Sequence, residues 1–410
     1  MAPPSESASL GVERTTSLPH QEPKADSVQR VAPPSESSSL GVEHNASLPH
    51  HDPKADSARL IELLHQLAAK LSPRAIQIME VCGTHTVTAQ REGIHGLLPE
   101  NVRLISGPGC PVCVTPAGYI EQSVQLALEH GVHITTYGDM LRVPGITMSL
   151  EDARRQGAKV SIIYSVQDAL RIARKEPQQK VVFLAIGFET TTPPTAFAVK
   201  AVRSEGLSNF LVFSAHKLII PAMQVLLDDP ELAIDAFIGP GHVSVIIGKD
   251  AYDVVASKYH RPCVIAGFDG NQMLMALVQI LTQLLVNEAR VQSVYRDRIT
   301  NEGNIAAQKI IQQIFIPADS RWRGFGTIPQ SGLNVRNGFA DFDAKHVFQL
   351  TEPVDHEPAG CLCANIVKGI SLPTDCPLFA KRCTPASPVG ACMVSREGAC
   401  SAYYRYRNVE

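Results

Sequence analysis

The stretch VVFLAIGFETTTP, Val181–Pro193, sets the fold class. Val181–Ile186 is an unbroken apolar run, too short for a helix and stopped by Gly187. Such a run predicts a strand buried on both faces of a parallel sheet. In the loop that follows, Thr192 reads as the cap of a helix whose first turn Pro193 opens. A second reading, with the threonines as phosphate ligands at that helix start, stands beside it. Outward from this unit the same order recurs. Strands are expected upstream at Ala75–Val81, Val102–Ser106, His133–Tyr137 and Lys159–Tyr164, and downstream at Phe210–Phe213, Ala236–Ile238 and Cys263–Ala266. Strands alternating with helical stretches predict right-handed βαβ units and parallel sheets covered by helices on both faces. Two sets of four strands give two similar α/β domains, 58–175 and 176–270, with a break near residues 170–180.

The flanks differ in character. Residues 2–27 and 32–57 are two copies of one segment, dense in Pro and Ser and without Cys, Phe, Tyr or Trp. That composition buries too little apolar area to offset the entropy of ordering the chain, so 1–57 is expected to be a disordered tail. From Ala58, Leu60, Leu63, Leu64, Leu67 and Leu71 recur at helical spacing, and Pro73 closes the helix. Met273–Val286 is apolar enough for a core-packing helix. Beyond residue 300 the chain turns irregular and rich in Gly and Pro, and it ends in a segment with six of the ten cysteines. Residues 271–410 are therefore expected to form a third, irregular α+β domain.

Composition excludes several function classes. The chain has 410 residues, with 37 Lys+Arg against 40 Asp+Glu and a net charge of -3. That balance gives no electrostatic reason for nucleic acid or an acidic membrane as partner. No apolar stretch approaches the roughly 18 residues of a membrane span. The start, Met1-Ala2-Pro3-Pro4-Ser5, lacks the basic and apolar regions of a signal peptide, and a cytoplasmic protein is expected. Cytosolic thiols stay reduced, so the ten cysteines point to metals or catalysis. Neither dinucleotide nor P-loop glycine patterns occur.

In open parallel sheets, ligands collect at the carboxyl ends of the strands. The unusual strings of this sequence follow expected strands: Glu80–Thr86, Gly107–Cys113, Gly187–Pro193, Ser214–Lys217, Gly239–His242 and Gly267–Gly270. Together they predict a shared cleft. Cys110 and Cys113 form a Cys-x-x-Cys pair ahead of a helix expected at Thr115-Pro116, which suits redox or metal reactivity; half of a zinc site is the other reading. Cys82 and His85 suit one soft or borderline metal, or a nucleophile with its base, against a buried inert thiol. Cys263 is assigned to packing. His216 and His242 read as core histidines or as functional groups at strand ends. The C-terminal cysteines, Cys361, Cys363, Cys376, Cys383, Cys392 and Cys400, lie on loops punctuated by Pro and Gly, which suits an iron–sulfur cluster held by four thiolates. Spacing alone does not name the four. A cluster, a dithiol and a reactive thiol form an electron path ending at Cys82.

These motifs resemble the hydrogenase maturation factor HypD family, from about Leu60 to the C-terminus. The likeness is carried by CGTHT (Cys82–Thr86), GPGCPVC (Gly107–Cys113), GFETTTP (Gly187–Pro193), SAHK (Ser214–Lys217) and the tail from Thr374 to Tyr404. The duplicated N-terminal segment departs from the family pattern. The resemblance implies two α/β domains and a third carrying a [4Fe-4S] cluster on Cys363, Cys376, Cys383 and Cys400, with Cys361 and Cys392 as extra thiols. It further implies a HypC-type partner, with which iron is held while it acquires two cyanides and one carbon monoxide. A HypE-type donor delivers the cyanide, and a [NiFe]-hydrogenase large subunit receives the product. In that picture Cys82 is the iron ligand with His85 beside it, and Cys110 and Cys113 are a redox dithiol that also contacts iron. A rival reading of the same thiols is an iron–sulfur thiol–disulfide oxidoreductase acting on protein substrates. A zinc-stabilised binding module is the third.

Overall fold

Apolar runs at the expected positions do form strands, and their pairing sorts them into two parallel sheets. A computed structural model describes residues 53–295, 298–351, 353 and 357–406. The duplicated segment thus lies outside the described residues except for 53–57. Those five residues, expected within the tail, form the start of helix α1 (Pro53–Leu71), where Pro53 suits the first helical position. The next helices are α2 (Gly83–Arg91), α3 (Pro111–Val114) and α4 (Ala117–Leu128).

The strands are β1 (Ile76–Glu80), β2 (Val102–Ser106), β3 (His133–Thr136), β4 (Val160–Ile162), β5 (Val181–Gly187), β6 (Phe210–His216), β7 (Ala236–Pro240), β8 (Cys263–Ala266) and β9 (Val291–Ser293). One sheet has five strands in the order β2-β1-β7-β8-β9, and the other has four in the order β4-β3-β5-β6. All pairs in both are parallel. Grouping the strands by chain order therefore needs correcting. β3 and β4 share a sheet with β5 and β6, and the expected break near 170–180 falls inside that sheet. β1 and β2 instead pair onward to β7, with Ile78 opposite Ala236. Strand propensity is local, whereas pairing is decided by contacts far apart in the chain.

Alternation along β5 shows how both faces are filled. Val181, Phe183 and Ala185 face a core with helices Val166–Lys175 and Thr192–Glu205; Val182, Leu184 and Ile186 face another with α4 and the C-terminal cysteine segment. In the five-stranded sheet, Ile76, Ile78 and Val264 pack with α1 and helix Gly270–Leu285. Its other face sets Met79, Phe237 and Ile265 against helix Ile219–Asp228. The helix expected at Met273–Val286 begins earlier because Asp269 caps it, accepting from the Gln272 N–H at 2.9 Å.

The irregular region expected beyond residue 300 contains more order than its composition suggests. Helix Ile305–Ile314 leads into an antiparallel hairpin of β10 (Phe315–Trp322) and β11 (Gly326–Val335). Pro317 and Gly326 are tolerated in a two-stranded ribbon, Gly332 stands where the ribbon is bridged to Lys217 and a Cβ would lie 2.4 Å from that of Ser320, and a bulge lies between Ala318 and Ser320. After the hairpin only short helices occur among the described residues, including Cys363–Val367, Ala391–Val394 and Ala399–Tyr406. No described helix is long and apolar enough to cross a membrane.

Candidate metal and thiol site

The chain leaves β1 at Glu80, turns at Cys82 and enters α2. It leaves β2 at Ser106 and returns through Gly107-Pro108-Gly109. Backbone bonds tie the two turns together: the Gly107 N–H donates to the Glu80 carbonyl (2.8 Å) and the Gly83 N–H to the Gly109 carbonyl (3.1 Å). Gly109 has no room for a side chain, since a Cβ there would lie 2.2 Å from the Cys82 nitrogen and 2.4 Å from its Cα. Cys110 follows at once. It precedes α3, accepting from the Cys113 N–H at 3.2 Å, and the two cysteines form a disulfide with their Cα atoms 5.3 Å apart. Both are buried. Thr115, expected to cap the next helix, instead closes α3 by donating to the Pro111 carbonyl (2.8 Å); α4 starts after Pro116.

Cys82 is half-buried. Burial, then the charge of Glu397, push its thiol up to about 12, Glu80 adding to the rise while the amides of His85 and Thr84 oppose it. The resting sulfur is thus protonated, and a bound metal would displace that proton. Glu80 accepts from the Cys82 N–H (3.0 Å) and from the Thr86 hydroxyl. Its burial outweighs these bonds and raises its carboxyl to about 8.

His85 is fully buried, stacked on Phe268, with Nε2 2.8 Å from the Gly267 carbonyl and 3.3 Å from that of Ala266. Carbonyls only accept, so Nε2 carries the proton and Nδ1, which has no partner, keeps its lone pair. Burial lowers the ring's pKa to about 4 and keeps it neutral. A neutral imidazole anchored to a backbone carbonyl through one nitrogen is the form that binds metal through the other.

The C-terminal segment closes on these motifs. Glu397 accepts from the Thr84 hydroxyl (2.8 Å), and its backbone lies so close to Gly83 that a Cβ there would meet Glu397 Cβ at 2.6 Å. Helix Ala391–Val394 packs on α3, and helix Ala399–Tyr406 on α2. From the hairpin, the Arg323 N–H donates to the Val114 carbonyl (2.8 Å), and Nη2 to that of Thr115 (2.9 Å). Gly324 beside it abuts Ala364, the neighbour of Cys363. Sequence reading assigned no role to Glu80, Arg323 or Glu397. Glu80 and Glu397 lie inside the quoted motifs, which was the available signal; Arg323 at a hairpin tip had none.

Cys363, Cys376, Cys383, Cys392 and Cys400 are all buried in one apolar cluster, with Cys361 at its edge. The sulfurs of Cys363 and Cys392 are 2.7 Å apart. Cys383 Sγ accepts from the Val389 N–H (3.3 Å), and the Cys376 thiol lies 3.8 Å from the Gly360 carbonyl. No three described His, Cys, Asp or Glu side chains are already gathered as a metal-ion site. The donor set nevertheless fits an iron–sulfur cluster: soft thiols, enclosed by apolar side chains, on short helices and the loops between them. Cys392, an extra thiol by spacing, sits in the midst of them.

The remaining candidates differ in burial and in their partners. Thr191 precedes the helix that Thr192 was expected to cap, and both hydroxyls donate to the Phe188 carbonyl (3.0 and 3.3 Å). Their donor protons are thus spent within the fold. Cys263 is fully buried in the core, as expected. His216 is a core histidine, its pKa lowered to about 4 by burial, whereas His242 is exposed with its ring on Phe268.

Comparison with known proteins agrees with these motifs. A family model described as "HypD: Hydrogenase formation hypA family" matches residues 56–407. The hydrogenase maturation factor HypD of Azotobacter vinelandii is 46% identical over 84% of this chain and 93% of its own. HypD of Escherichia coli is 42% identical over 86% and 95%, and HypD of Cupriavidus necator 44% identical over 84% and 94%. With the match spanning both sheets, the hairpin and the cysteine tail, the chain belongs to the HypD family of hydrogenase maturation factors.

Proposed function

We propose that this protein, with a HypC-type partner, is the cytoplasmic scaffold on which an iron ion receives two cyanides and one carbon monoxide. A HypE-type donor supplies the cyanide, and the product passes to a [NiFe]-hydrogenase large subunit. The observation that carries the reading is the contact of Gly109 with the Cys82 backbone, which sets Cys110 beside the Cys82 turn. The iron is cargo, and Cys82 is its thiolate ligand here, with the neutral ring of His85 two residues into α2. Half-burial of Cys82 suits a metal shared with a partner. Cys110 and Cys113 act as a redox pair, their disulfide taking two electrons and two protons to become the dithiol. Cys363, Cys376, Cys383 and Cys400 would hold a [4Fe-4S] cluster, which when bound supplies single electrons.

The test is an infrared spectrum of the protein purified without oxygen from cells expressing its partners. Bands of iron-bound cyanide and carbon monoxide are expected. Their absence, with the cluster and partner present, would favour a thiol–disulfide oxidoreductase acting on proteins.

A further inference from the structure

Helices Ile219–Asp228, Gly241–Ile247 and Ile305–Ile314 and the β10–β11 hairpin leave a pocket of about 300 Å³ between them. No cysteine lines it, and the iron chemistry above gives it no task. Its walls are apolar, with Ile220 and Ile247 from one core cluster and Leu218, Ile311, Phe315 and Leu333 from another. A pocket where two cores meet is a common place for a small ligand. At roughly 30 Å³ for each water-sized group, it has room for about ten.

The one carboxylate in the lining is that of Glu189, from the GFETTTP string. Glu189 is 5% exposed. One of its oxygens accepts from the Ile219 N–H at 3.0 Å, and the other has no hydrogen-bond partner. Only backbone amides, of Ile219 and of Glu189 itself, act in favour of its charge, and no described cation does. The other polar groups of the lining are placed differently. Gln308 is spent, its Nε2 donating to the carbonyls of Ile246 (2.8 Å) and Glu302 (2.6 Å). Arg336 is exposed, with Nε donating to the carbonyls of Gln312 (2.6 Å) and Phe315 (3.1 Å), and solvent screens its charge far more than that of a buried carboxylate. Of the lining residues, Glu189 alone has a buried polar side-chain atom left unpaired. A buried acceptor in that state is costly, the more so when charged, and a donor carried in by a ligand removes the cost.

We propose that this pocket binds a small apolar amine, its hydrocarbon part against Ile220, Ile311 and Phe315 and its ammonium on the free oxygen of Glu189. Apolar walls disfavour a strongly hydrated ion, and the carboxylate selects a cationic head over an anionic one.

The experiment titrates the full-length protein at pH 8 with benzylamine, benzyl alcohol and benzoate, which share one ring and differ in head group. Burial raises the Glu189 carboxyl to about 7, so it is ionised at that pH. Heat of binding and saturation-transfer NMR report occupancy. Saturable binding of benzylamine is expected, about tenfold tighter than benzoate or more. Glu189→Gln keeps the shape and one acceptor, and should weaken benzylamine about tenfold while sparing benzyl alcohol. The thermal midpoint of the free variant shows that it is folded. Ala251→Phe, which sets a ring into the pocket, should abolish binding of all three. Four results would each overturn the proposal: no saturable binding of benzylamine, benzoate binding as tightly, binding retained in Ala251→Phe, or Glu189→Gln affecting benzylamine no more than benzyl alcohol.

Discussion

The Cα of Gly109 is packed onto the backbone of Cys82 so tightly that even one added methyl group would overlap it. The two loops therefore form one turn-on-turn unit, joined also by the Gly83 N–H and the Gly109 carbonyl. Gly109→Ala must part them. We expect a loss of about 1–3 kcal/mol or more from overpacking, read as a lower denaturation midpoint. Reduction and reoxidation of Cys110 and Cys113 should change with it, because Cys110 is the next residue.

Cys82→Ala should abolish iron-bound cyanide and carbon monoxide bands and leave the visible absorption of the C-terminal cluster intact. The C-terminal thiols that would hold that cluster gather in an apolar core that takes in Cys110 and Cys113 but not Cys82. Retention of the infrared bands would remove Cys82 from the proposed role.

Glu397→Gln should make Cys82 more reactive. The carboxylate of Glu397 raises the thiol's pKa, whereas a neutral amide still accepts from Thr84 without adding negative charge. Alkylation of Cys82 in the metal-free protein, followed by mass spectrometry at fixed pH, should be several-fold faster than in the parent. An unchanged or slower rate would show that Glu397 does not act through charge.

Glu189 predicts a pH dependence of stability. It is buried, with one oxygen accepting from the Ile219 N–H and the other unpartnered, and burial raises its pKa from 4.5 to about 7. A group raised in the fold gives its full stabilisation below the unfolded value and loses it as pH rises through the folded one. Stability should therefore fall between about pH 4.5 and 7, and Glu189→Gln should remove roughly 3 kcal/mol of that fall. His216, lowered to about 4, works in the other direction: it loses stability as pH drops below 6.5. Denaturant midpoints of parent and variant at pH 5 and 8 check the sign; equal slopes would overturn it.

What sequence reading caught and what it missed follow from range of interaction. Val181–Ile186 is legible because both faces of β5 are buried, so its apolar run is unbroken. β9 is not, being three half-buried residues at a sheet edge. The cap of helix Thr192–Glu205 was misplaced by one residue, because three consecutive threonines offer the same local chemistry. The cysteine strings could be read at once, yet nothing local says that Glu397 would reach Thr84 or Arg323 the end of α3. Those contacts are made by side chains hundreds of residues apart in sequence. Sheet membership failed for the same reason, β1 finding its second neighbour only at β7.

That nesting of β3–β6 between β2 and β7 has a consequence for biosynthesis. During translation the four-stranded sheet has all its strands once His216 has left the ribosome, well before the sheet around it can close. β1 and β2 are made first and must wait for Ala236–Pro240, with one strand edge open meanwhile. The Cys82 and Cys110 turns sit on those waiting strands, and the tail that covers them is the last part to emerge. A nascent chain therefore carries Cys82, Cys110 and Cys113 without the cover of the tail from the moment they are made until synthesis is almost finished.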